Sequence, residues 1–260
     1  RQKYDNTNEP TGQKSNNRQP KIKTKIYENL IKVKSTTKIG TWNVQTLKDR
    51  PERIKELKEE MAKRKLDICG LAETHLLGKY IDEENNIIFS GDEKIHHRGV
   101  GIAMSKYAKS CLLSYECVNN RILTARFKSK FVNLTIIMCY APTEDSNNDE
   151  KNAFYTQLQT ILDKQSGYDM KLIIGDLNAK VGKDYKTWPN TLGKHGTGTM
   201  NNNGHRFVEI CTANDFVIRG TIFEHKWIHK LSWYMPDPKN KIYKQNANQI
   251  DHITINRRWH

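Results

Sequence analysis

Residues 171–178 read KLIIGDLN, a short apolar run that ends in polar side chains. The run from Lys171 to Gly175 predicts a buried β-strand, and Asp176 and Asn178 follow directly at its end. In many α/β enzymes the ends of strands and the loops after them form the active site. Because Asp and Asn also favour ordinary turns, this segment alone does not separate a site from a turn.

The same arrangement recurs along the chain. Strands are predicted over 39–44, 66–71, 131–140 and 249–255, and each carries a polar residue at or near its end. These residues are Asn43, Glu73, Tyr140 and Asp251. Together with Asp176 they include three carboxylates, and the sequence has no competing Cys or Ser nucleophile motif. The recurrence therefore favours a catalytic site over a set of unrelated turns.

Apolar residues between these strands recur at helical spacing. Helices are predicted around Ile54, Leu57 and Met61, around Phe154, Leu158, Ile161 and Leu162, and around Phe207, Ile210 and Cys211. Shorter strands are predicted over 87–89, 100–104, 216–218 and 231–234. The irregular alternation of helices and one-sided strands predicts an α/β protein with two sheets packed on each other and helices outside. A doubly wound parallel sheet would show longer, continuously apolar strands.

The charge of the chain is strongly positive. The formal net charge is +14 and the pI is about 9.5, which favours a polyanionic partner such as nucleic acid. Residues 1–38 carry ten Lys and Arg against three Asp and Glu, so half of the excess lies there. We expect residues 1–37 to be a disordered basic leader and residues 38–260 to form one folded domain.

Cysteine usage and hydropathy bear on the compartment. No apolar run approaches the roughly 18 residues of a membrane span, and no secretory signal is visible. The cysteines show no pairing pattern typical of disulfides or zinc sites. They are Cys69, Cys111, Cys117, Cys139 and Cys211. We expect buried free thiols, an intracellular protein and no membrane partner.

Six short motifs resemble, in order, those of the endonuclease/exonuclease/phosphatase superfamily, which includes deoxyribonuclease I and apurinic/apyrimidinic endonucleases. They are TWNV at 41–44, LAETH at 71–75, CYAPT at 139–143, GDLN at 175–178, LSW at 231–233 and QIDHI at 249–253. With Pro236-Asp237 they also resemble the endonuclease domains of non-long-terminal-repeat retrotransposons and craniofacial development protein 2-like proteins. Each motif is weak alone, but six in order are specific. The resemblance implies a DNase I-like four-layer sandwich, in which two packed mixed β-sheets are flanked by helices.

The resemblance also implies roles for seven residues. Glu73 resembles the ligand of Mg²⁺ or Mn²⁺, and Asn43 resembles the residue beside that metal. Asp176 resembles the carboxylate that orients or deprotonates the attacking water, and Asn178 resembles its partner. Tyr140 resembles the phenol that contacts the scissile phosphate. Asp251 resembles the residue that orients a catalytic His. Trp233 resembles a residue that supports the site and lines the substrate groove.

Several neighbouring residues are expected to have other roles. Trp42 is expected in the core, and His96 and His97 are not expected to be catalytic. His252 directly follows Asp251, so on an extended strand it should point to the opposite face. Apurinic/apyrimidinic endonucleases have an acidic residue where this chain has Gln45, which weakens any assignment of a second metal.

The C-terminal end departs from the family pattern. The family ends with a Ser-Asp-His segment that supplies the catalytic His, and the given sequence stops at His260 without it. His260 follows no Asp, so we do not equate it with that His. From this pattern we expect a C-terminally truncated domain that is inactive, or nearly so, as it stands.

Three functions remain open at this stage. The first is a metal-dependent DNA endonuclease that leaves 3′-hydroxyl ends, in a nuclear protein whose parent element also carried a reverse transcriptase. The second is a catalytically inactive, nucleic-acid-binding remnant. The third, least favoured by the wording of the motifs, is a phosphatase of the same superfamily.

Overall fold

The structure is a computed structural model that describes residues 36–234 and 247–260. The predicted leader, apart from residues 36 and 37, and the Pro236-Asp237 pair lie outside the described residues. Within the described part, no helix combines the length and the apolar character that crossing a membrane requires.

The first five strands form one mixed sheet. They are β1 (Ile39–Asn43), β2 (Ile68–Ala72), β3 (Lys79–Asp82), β4 (Ile87–Ser90) and β5 (Val100–Met104). Their spatial order is β1-β2-β5-β4-β3. β1 and β2 are parallel, and the other neighbours are antiparallel.

Six later strands form a second mixed sheet, and two short strands pair beside it. The six strands of the sheet are β6 (Leu112–Cys117), β7 (Ile122–Phe127), β8 (Leu134–Tyr140), β9 (Met170–Asp176), β10 (Phe216–Ile218) and β13 (Asp251–Asn256). The separate pair consists of β11 (Trp233–Tyr234) and β12 (Ala247–Asn248). The six-stranded sheet has the order β10-β13-β9-β8-β7-β6. β8 and β9 are parallel, whereas β13 is antiparallel to β9.

Helices cover the outer faces of both sheets. The four α-helices of the described residues are α1 (Pro51–Arg64), α2 (Lys106–Ser110), α3 (Asn148–Lys164) and α4 (Asn202–Ala213). Leu57 and Met61 of α1 pack on the five-stranded sheet, and α3 and α4 pack on the six-stranded sheet through residues such as Leu158 and Phe207. A separate core fills the space between the sheets. The predicted class, two packed mixed β-sheets flanked by helices, is confirmed.

Local sequence explains where the helices begin and end. Pro51 lies in the first turn of α1, where its missing N–H removes no helical hydrogen bond. Lys65 ends that helix in the left-handed conformation. The side chains of Asn147 and Asn201 cap α3 and α4 by accepting hydrogen bonds from the backbone N–H groups of Glu150 and Gly204.

The register of the six-stranded sheet places three polar residues in one row. Tyr140 at the end of β8 lies opposite Asp176 at the end of β9, and Asp251 at the start of β13 lies opposite Asp176 on its other side. Gly175, just before Asp176, has φ of +130°, and a Cβ there would lie 2.0 Å from the carbonyl oxygen of Cys139. Only glycine tolerates this close approach. Asp176 lies on the same face of β9 as Leu172 and Ile174, which belong to the core between the sheets.

Candidate active site

Six of the seven predicted site residues, including Asp251 at the start of β13, meet at one end of the two sheets. Asn43 and Glu73 come from the ends of β1 and β2, and Tyr140 and Asp176 end β8 and β9. Asn178 follows two residues after Asp176. These residues come from both sheets, so the site exists only when the two sheets are packed together.

Glu73 receives two hydrogen bonds in this site. The side-chain amide of Asn43 donates to Glu73 Oε1 at 2.7 Å, and the Tyr140 hydroxyl donates to the same oxygen at 3.2 Å. Glu73 has φ of +56°, a left-handed conformation that is unusual for a residue other than glycine. It follows the fully buried strand β2, and this backbone turn interrupts the strand alternation. Such strain is typical of functional positions.

Asp176 is held by a second pair of hydrogen bonds. The Asn43 amide donates to Asp176 Oδ2 at 3.3 Å, so Asn43 links the two carboxylates. The backbone N–H of Asn178 donates to Asp176 Oδ1 at 3.0 Å. Asn178, itself at φ of +47°, uses its side-chain amide to bind the carbonyl oxygen of Ala141. The Asp176 side chain is only 4% exposed, so it is not an ordinary surface turn residue.

Asp251 lies beside Asp176 and is anchored through its backbone. The N–H groups of Ile250 and Asp251 both donate to the Ser232 hydroxyl at 3.0 Å. Asp251 Oδ1 is buried and has no hydrogen-bond partner among the described residues. An unsatisfied buried carboxylate oxygen is costly, which indicates a ligand or a donor that is not among these residues.

The electrostatics of the site reflect uncompensated negative charge. Burial, and then the neighbouring Asp251 carboxylate, raises the pKa of Asp176 to about 7. Burial raises the pKa of Asp251 to about 6, against a lowering hydrogen bond from Ser232. Burial, followed by the Glu73 and Asp176 charges, also raises the pKa of the Tyr140 hydroxyl. None of the ion pairs of the described residues involves Glu73, Asp176 or Asp251.

These pKa values predict how the stability of the metal-free protein depends on pH. Between about pH 4 and 7 the folded state keeps protons on Asp176 and Asp251 that the unfolded state has lost. The two residues should therefore lower the free energy of unfolding as pH rises, by on the order of a few kcal/mol, and the loss should level off above pH 7. Urea titrations in EDTA at several pH values would measure it.

The control for this prediction is the double variant Asp176→Asn/Asp251→Asn. Its amide groups do not titrate, so its stability should fall less between pH 4 and 7 than that of the wild type. Parallel pH profiles for the two proteins would show that the paired carboxylates are not the source.

The donor set is suited to a hard cation with several water ligands. Among the described residues, no group of three or more His, Cys, Asp or Glu side chains could hold a metal ion by itself. Mg²⁺ usually keeps most of its waters and binds through one or two carboxylates together with substrate phosphate. Glu73 can supply one carboxylate, and the clustered negative charge favours a cation. Asn43 presents its amide nitrogen to Glu73, so it would bind a cation only after the amide rotates.

Arg121 and Glu150 lie behind Tyr140, and the sequence reasoning missed both. The Arg121 guanidinium lies 5.3 Å from the Tyr140 ring centre and donates to the Tyr140 carbonyl oxygen at 3.1 Å. Glu150 accepts hydrogen bonds from Arg121 at 2.7 Å and from Arg98 at 2.8 Å. These residues hold the strand end that carries Tyr140. They lie outside the short motifs, so no sequence signal identified them.

The remaining aromatic predictions have mixed outcomes. The expectation that Trp42 lies in the core is wrong, because its side chain is 42% exposed and lines a shallow cavity with Arg53 and Glu56. Both Arg53 and Glu56 belong to α1, so Trp42 lies beside this helix without being covered by it. Trp233 is 41% exposed on β11, next to Ser232. No contact between Trp233 and the carboxylates is described, so its role stays a prediction.

The histidines follow their expected placement. His252 is buried on the face of β13 opposite Asp251, where its Nε2 lies 2.7 Å from the carbonyl oxygen of Ala179. It packs against Phe207 of α4. His96 and His97 are exposed loop residues. The cysteines are free thiols as predicted, and four of the five are buried.

Comparison with curated proteins gives two relatives of the same name. The chain is 32% identical over 223 residues to craniofacial development protein 2 of Bos taurus, which covers 85% of this chain and 36% of the bovine protein. It is 31% identical over 255 residues to the protein of that name in Tragulus javanicus, covering 97% of this chain and 42% of that protein. The chain thus spans about two fifths of the length of these relatives.

Similar solved structures share the fold at low sequence identity. They include a 3′ phosphatase, NExo, from Neisseria bound to a product DNA hairpin, with a TM-score of 0.59, 17% identity and coverage of 85% of this chain and 86% of that chain. The endonuclease domain of TRAS1, a telomere-specific non-LTR retrotransposon, has a TM-score of 0.59, 15% identity and 84% coverage of each chain. The catalytic domain of Xenopus laevis APE2 has a TM-score of 0.57, 18% identity, and coverage of 84% and 82%. These likenesses establish the DNase I-like fold.

The family assignment rests on the sequence match. Residues 40–259 match the Endonuclease/Exonuclease/phosphatase family, a range that contains the complete set of predicted site residues. On this match, and on the identity to the two relatives, the chain belongs to the endonuclease/exonuclease/phosphatase family.

Proposed function

We propose that this domain is a divalent-metal-dependent DNA endonuclease of retrotransposon origin that hydrolyses phosphodiester bonds and leaves 3′-hydroxyl ends. The observation that carries the proposal is the cluster of Glu73, Asp176 and Asp251, whose negative charge no described cation neutralises. The adjoining Tyr140 and Asn178 are groups that contact phosphate and water in this family. The names of the structural neighbours, which include a retrotransposon endonuclease, support the same choice.

Glu73 would hold Mg²⁺ or Mn²⁺, with Asn43 beside it. A bound cation of this kind supplies charge stabilisation for the phosphate oxygens during hydrolysis. Tyr140 donates its hydroxyl hydrogen to Glu73 in the structure, and we assign it a contact with the scissile phosphate. The burial that raises the pKa of the Tyr140 hydroxyl keeps it protonated and able to donate.

Asp176 would position the attacking water and accept its proton. A general base works best when its pKa lies near the working pH, and the pKa of Asp176 is raised to about 7 in the metal-free site. Asn178 fixes one oxygen of Asp176 through its backbone N–H, which orients the carboxylate. The leaving oxygen takes up a proton from a separate donor, and Asp251 Oδ1 is available to orient that donor.

A nucleic-acid-binding remnant without activity is the second candidate. It is favoured by the partnerless Asp251 Oδ1, because no described histidine occupies the position that the family's catalytic His would take. Both candidates have DNA as partner. The endonuclease proposal also includes a nuclear location and a reverse transcriptase in the parent element.

A plasmid assay separates the two candidates. The protein that contains this chain is incubated with supercoiled plasmid and either Mg²⁺, Mn²⁺ or EDTA. An endonuclease gives nicked circles with either metal, ligatable 3′-hydroxyl ends, and no product in EDTA. Plasmid retention in a gel-shift assay without metal-dependent nicking would select the remnant instead.

We also predict that DNA binding is strongly salt-dependent. The net charge of +14 implies several lysine and arginine contacts with phosphate, and each releases about 0.9 of a counterion. With six such contacts, affinity should fall by about 10³-fold between about 50 and 200 mM salt. Fluorescence anisotropy of a labelled duplex in EDTA measures this. An affinity that is constant over that salt range would contradict it.

A further inference from the structure

A second concave surface lies beside the carboxylate site. Its volume is about 590 Å³, and we call it the basic pocket. Lys180, Lys183, Lys230 and His225 line it, together with the loop Gly196–Thr199. None of the described residues that line it is an Asp or Glu. As far as the described residues go, the basic pocket therefore concentrates positive charge without an internal counter-charge.

The lysine ammonium groups of the basic pocket are available to a ligand. Lys180 and Lys183 form no ion pair or side-chain hydrogen bond with the described residues. Lys63 and Lys109, by contrast, pair with Glu60 and Glu83. Lys230 donates to the carbonyl oxygen of His195 at 2.7 Å, which fixes its ammonium and leaves two of its N–H bonds for another acceptor.

The backbone near Lys180 is tied directly to the carboxylate site. Asn201 accepts a hydrogen bond from the Lys180 N–H at 2.9 Å and donates to the Asn178 carbonyl oxygen at 3.1 Å through its side chain. The Asn201 N–H also donates to the Lys180 carbonyl oxygen. A single side chain thus fixes the position of Lys180 relative to Asn178, two residues away.

The basic pocket also adjoins the groove that contains Asp251. Gln249, Lys230 and His225 line both the basic pocket and a larger groove of about 760 Å³ that includes Asp251. Gln249 Oε1 is buried without a partner among the described residues. The two cavities are therefore neighbours, and an extended polyanion long enough to contact both would pass Gln249 and Lys230.

We propose that the basic pocket binds a backbone phosphate of the nucleic-acid substrate, at a nucleotide other than the one being cleaved. This proposal rests on the proposed function, since it assigns a second contact for the same substrate. Lysine ammonium groups act as point charges toward phosphate, and contacts to the backbone position a substrate without reading its sequence. The pocket would set the direction in which the strand leaves the carboxylate site.

The test compares two double variants that each remove two positive charges. Lys180→Ala/Lys183→Ala alters the basic pocket. Lys128→Ala/Lys164→Ala is the matched control, because both lysines are exposed, and they lie after β7 and at the end of α3, away from the site. Affinity for a fluorescein-labelled DNA duplex is measured by anisotropy in EDTA, from about 50 to 200 mM salt. Thermal unfolding confirms that both variants fold.

The pocket variant should lose about tenfold in affinity at about 0.1 M salt, and its log–log salt slope should decrease by about 0.9, the value for one phosphate contact. The control should lose less than about threefold, with a slope close to that of the wild type. Lys180→Arg/Lys183→Arg should restore affinity because it keeps both charges. Equal losses in the pocket variant and the control would overturn the proposal.

A single neutral linkage locates the contact. Duplexes with one methylphosphonate at successive positions should include one position that weakens the wild type several-fold and does not weaken the Lys180→Ala/Lys183→Ala variant further. If neutralisation at each position has the same effect on both proteins, the pocket contacts no DNA phosphate.

Titration with inorganic phosphate tests the alternative that the basic pocket binds free phosphate and not a phosphate of DNA. A site for free phosphate would give a phosphate-dependent rise in Tm that the pocket variant loses, with unchanged affinity for DNA, and that result would overturn the proposal.

All these binding measurements are made without metal. A protein that binds through the pocket but never nicks plasmid would contradict the endonuclease function alone, and a nicking protein with an unimportant pocket would contradict only the further proposal.

Discussion

Asp176→Asn is expected to slow metal-dependent nicking by about 10²–10⁴-fold, the range of general acid–base contributions. The substitution removes the carboxylate assigned to accept the proton of the attacking water, and an amide is not a base near neutral pH. Shape is nearly unchanged, and the amide oxygen can still accept the hydrogen bond from the Asn178 N–H. DNA affinity measured in EDTA should stay within about threefold of wild type, since no direct phosphate contact is lost.

The same substitution should stabilise the metal-free protein at pH 8. Burial and the nearby Asp251 carboxylate raise the pKa of Asp176, so its ionised form destabilises the folded state, and the neutral amide removes this cost. Asp163→Asn is the matched control, because Asp163 is an exposed residue of α3 and should affect neither nicking nor stability measurably. Nicking at the wild-type rate by Asp176→Asn would show that another group activates the water.

The main architecture could be predicted because its strongest signals are local. Helices α1, α3 and α4 carry apolar residues at helical spacing, and the strands β2, β5, β8 and β9 are apolar runs bounded by polar residues. The predicted strand over 131–140 proved shorter, since β8 begins at Leu134 and Phe131 is exposed. Burial between the two sheets, rather than strand propensity at its first residues, sets where this strand begins.

Several strands were not predicted because their patterns are weak. β3 and β6 are mostly exposed, with polar and apolar residues mixed, so their pairing with β4 and β7 defines them. β7 contains Thr124 and Arg126 between apolar residues, which obscured a strand that is largely buried. Pairing with neighbouring strands determines β3, β6 and β7, and the local sequence pattern does not predict that pairing.

The sequence predicted which residues would form the candidate site, and the structure brings most of them together, whereas their geometry could not be predicted. The motifs pointed to Asn43, Glu73 and Asp176, yet the shared hydrogen bonding of Asn43 to both carboxylates depends on contact between the two sheets. Arg121, which directly precedes β7, reaches Tyr140 through the pairing of β7 with β8 within the six-stranded sheet, and this pairing has no local signal either. Trp42 remains 42% exposed although α1 residues line the same cavity, and the spacing of apolar residues does not reveal this exposure.

Glu73→Gln is expected to weaken Mn²⁺ binding by at least about tenfold, because it removes the charge of the one carboxylate assigned to the metal. Glutamine keeps the oxygen that accepts hydrogen bonds from Asn43 and Tyr140, so the fold should survive. Calorimetric titration with Mn²⁺ measures the affinity directly. The metal-dependent gain in stability, about 2.7 kcal/mol at a metal concentration 100 times Kd, should shrink in parallel with it.

Nicking should fall with metal affinity in Glu73→Gln and recover in part at high Mn²⁺, whereas Asp176→Asn should not recover. This difference separates a residue that holds the metal from one that acts on water. Glu116→Gln is the matched control, since Glu116 is an exposed residue of β6 and should leave Mn²⁺ affinity unchanged. If Glu73→Gln binds Mn²⁺ as tightly as wild type while Asp251→Asn does not, the cation is held by the Asp251 oxygen that has no described partner, and the assignment of Glu73 is wrong.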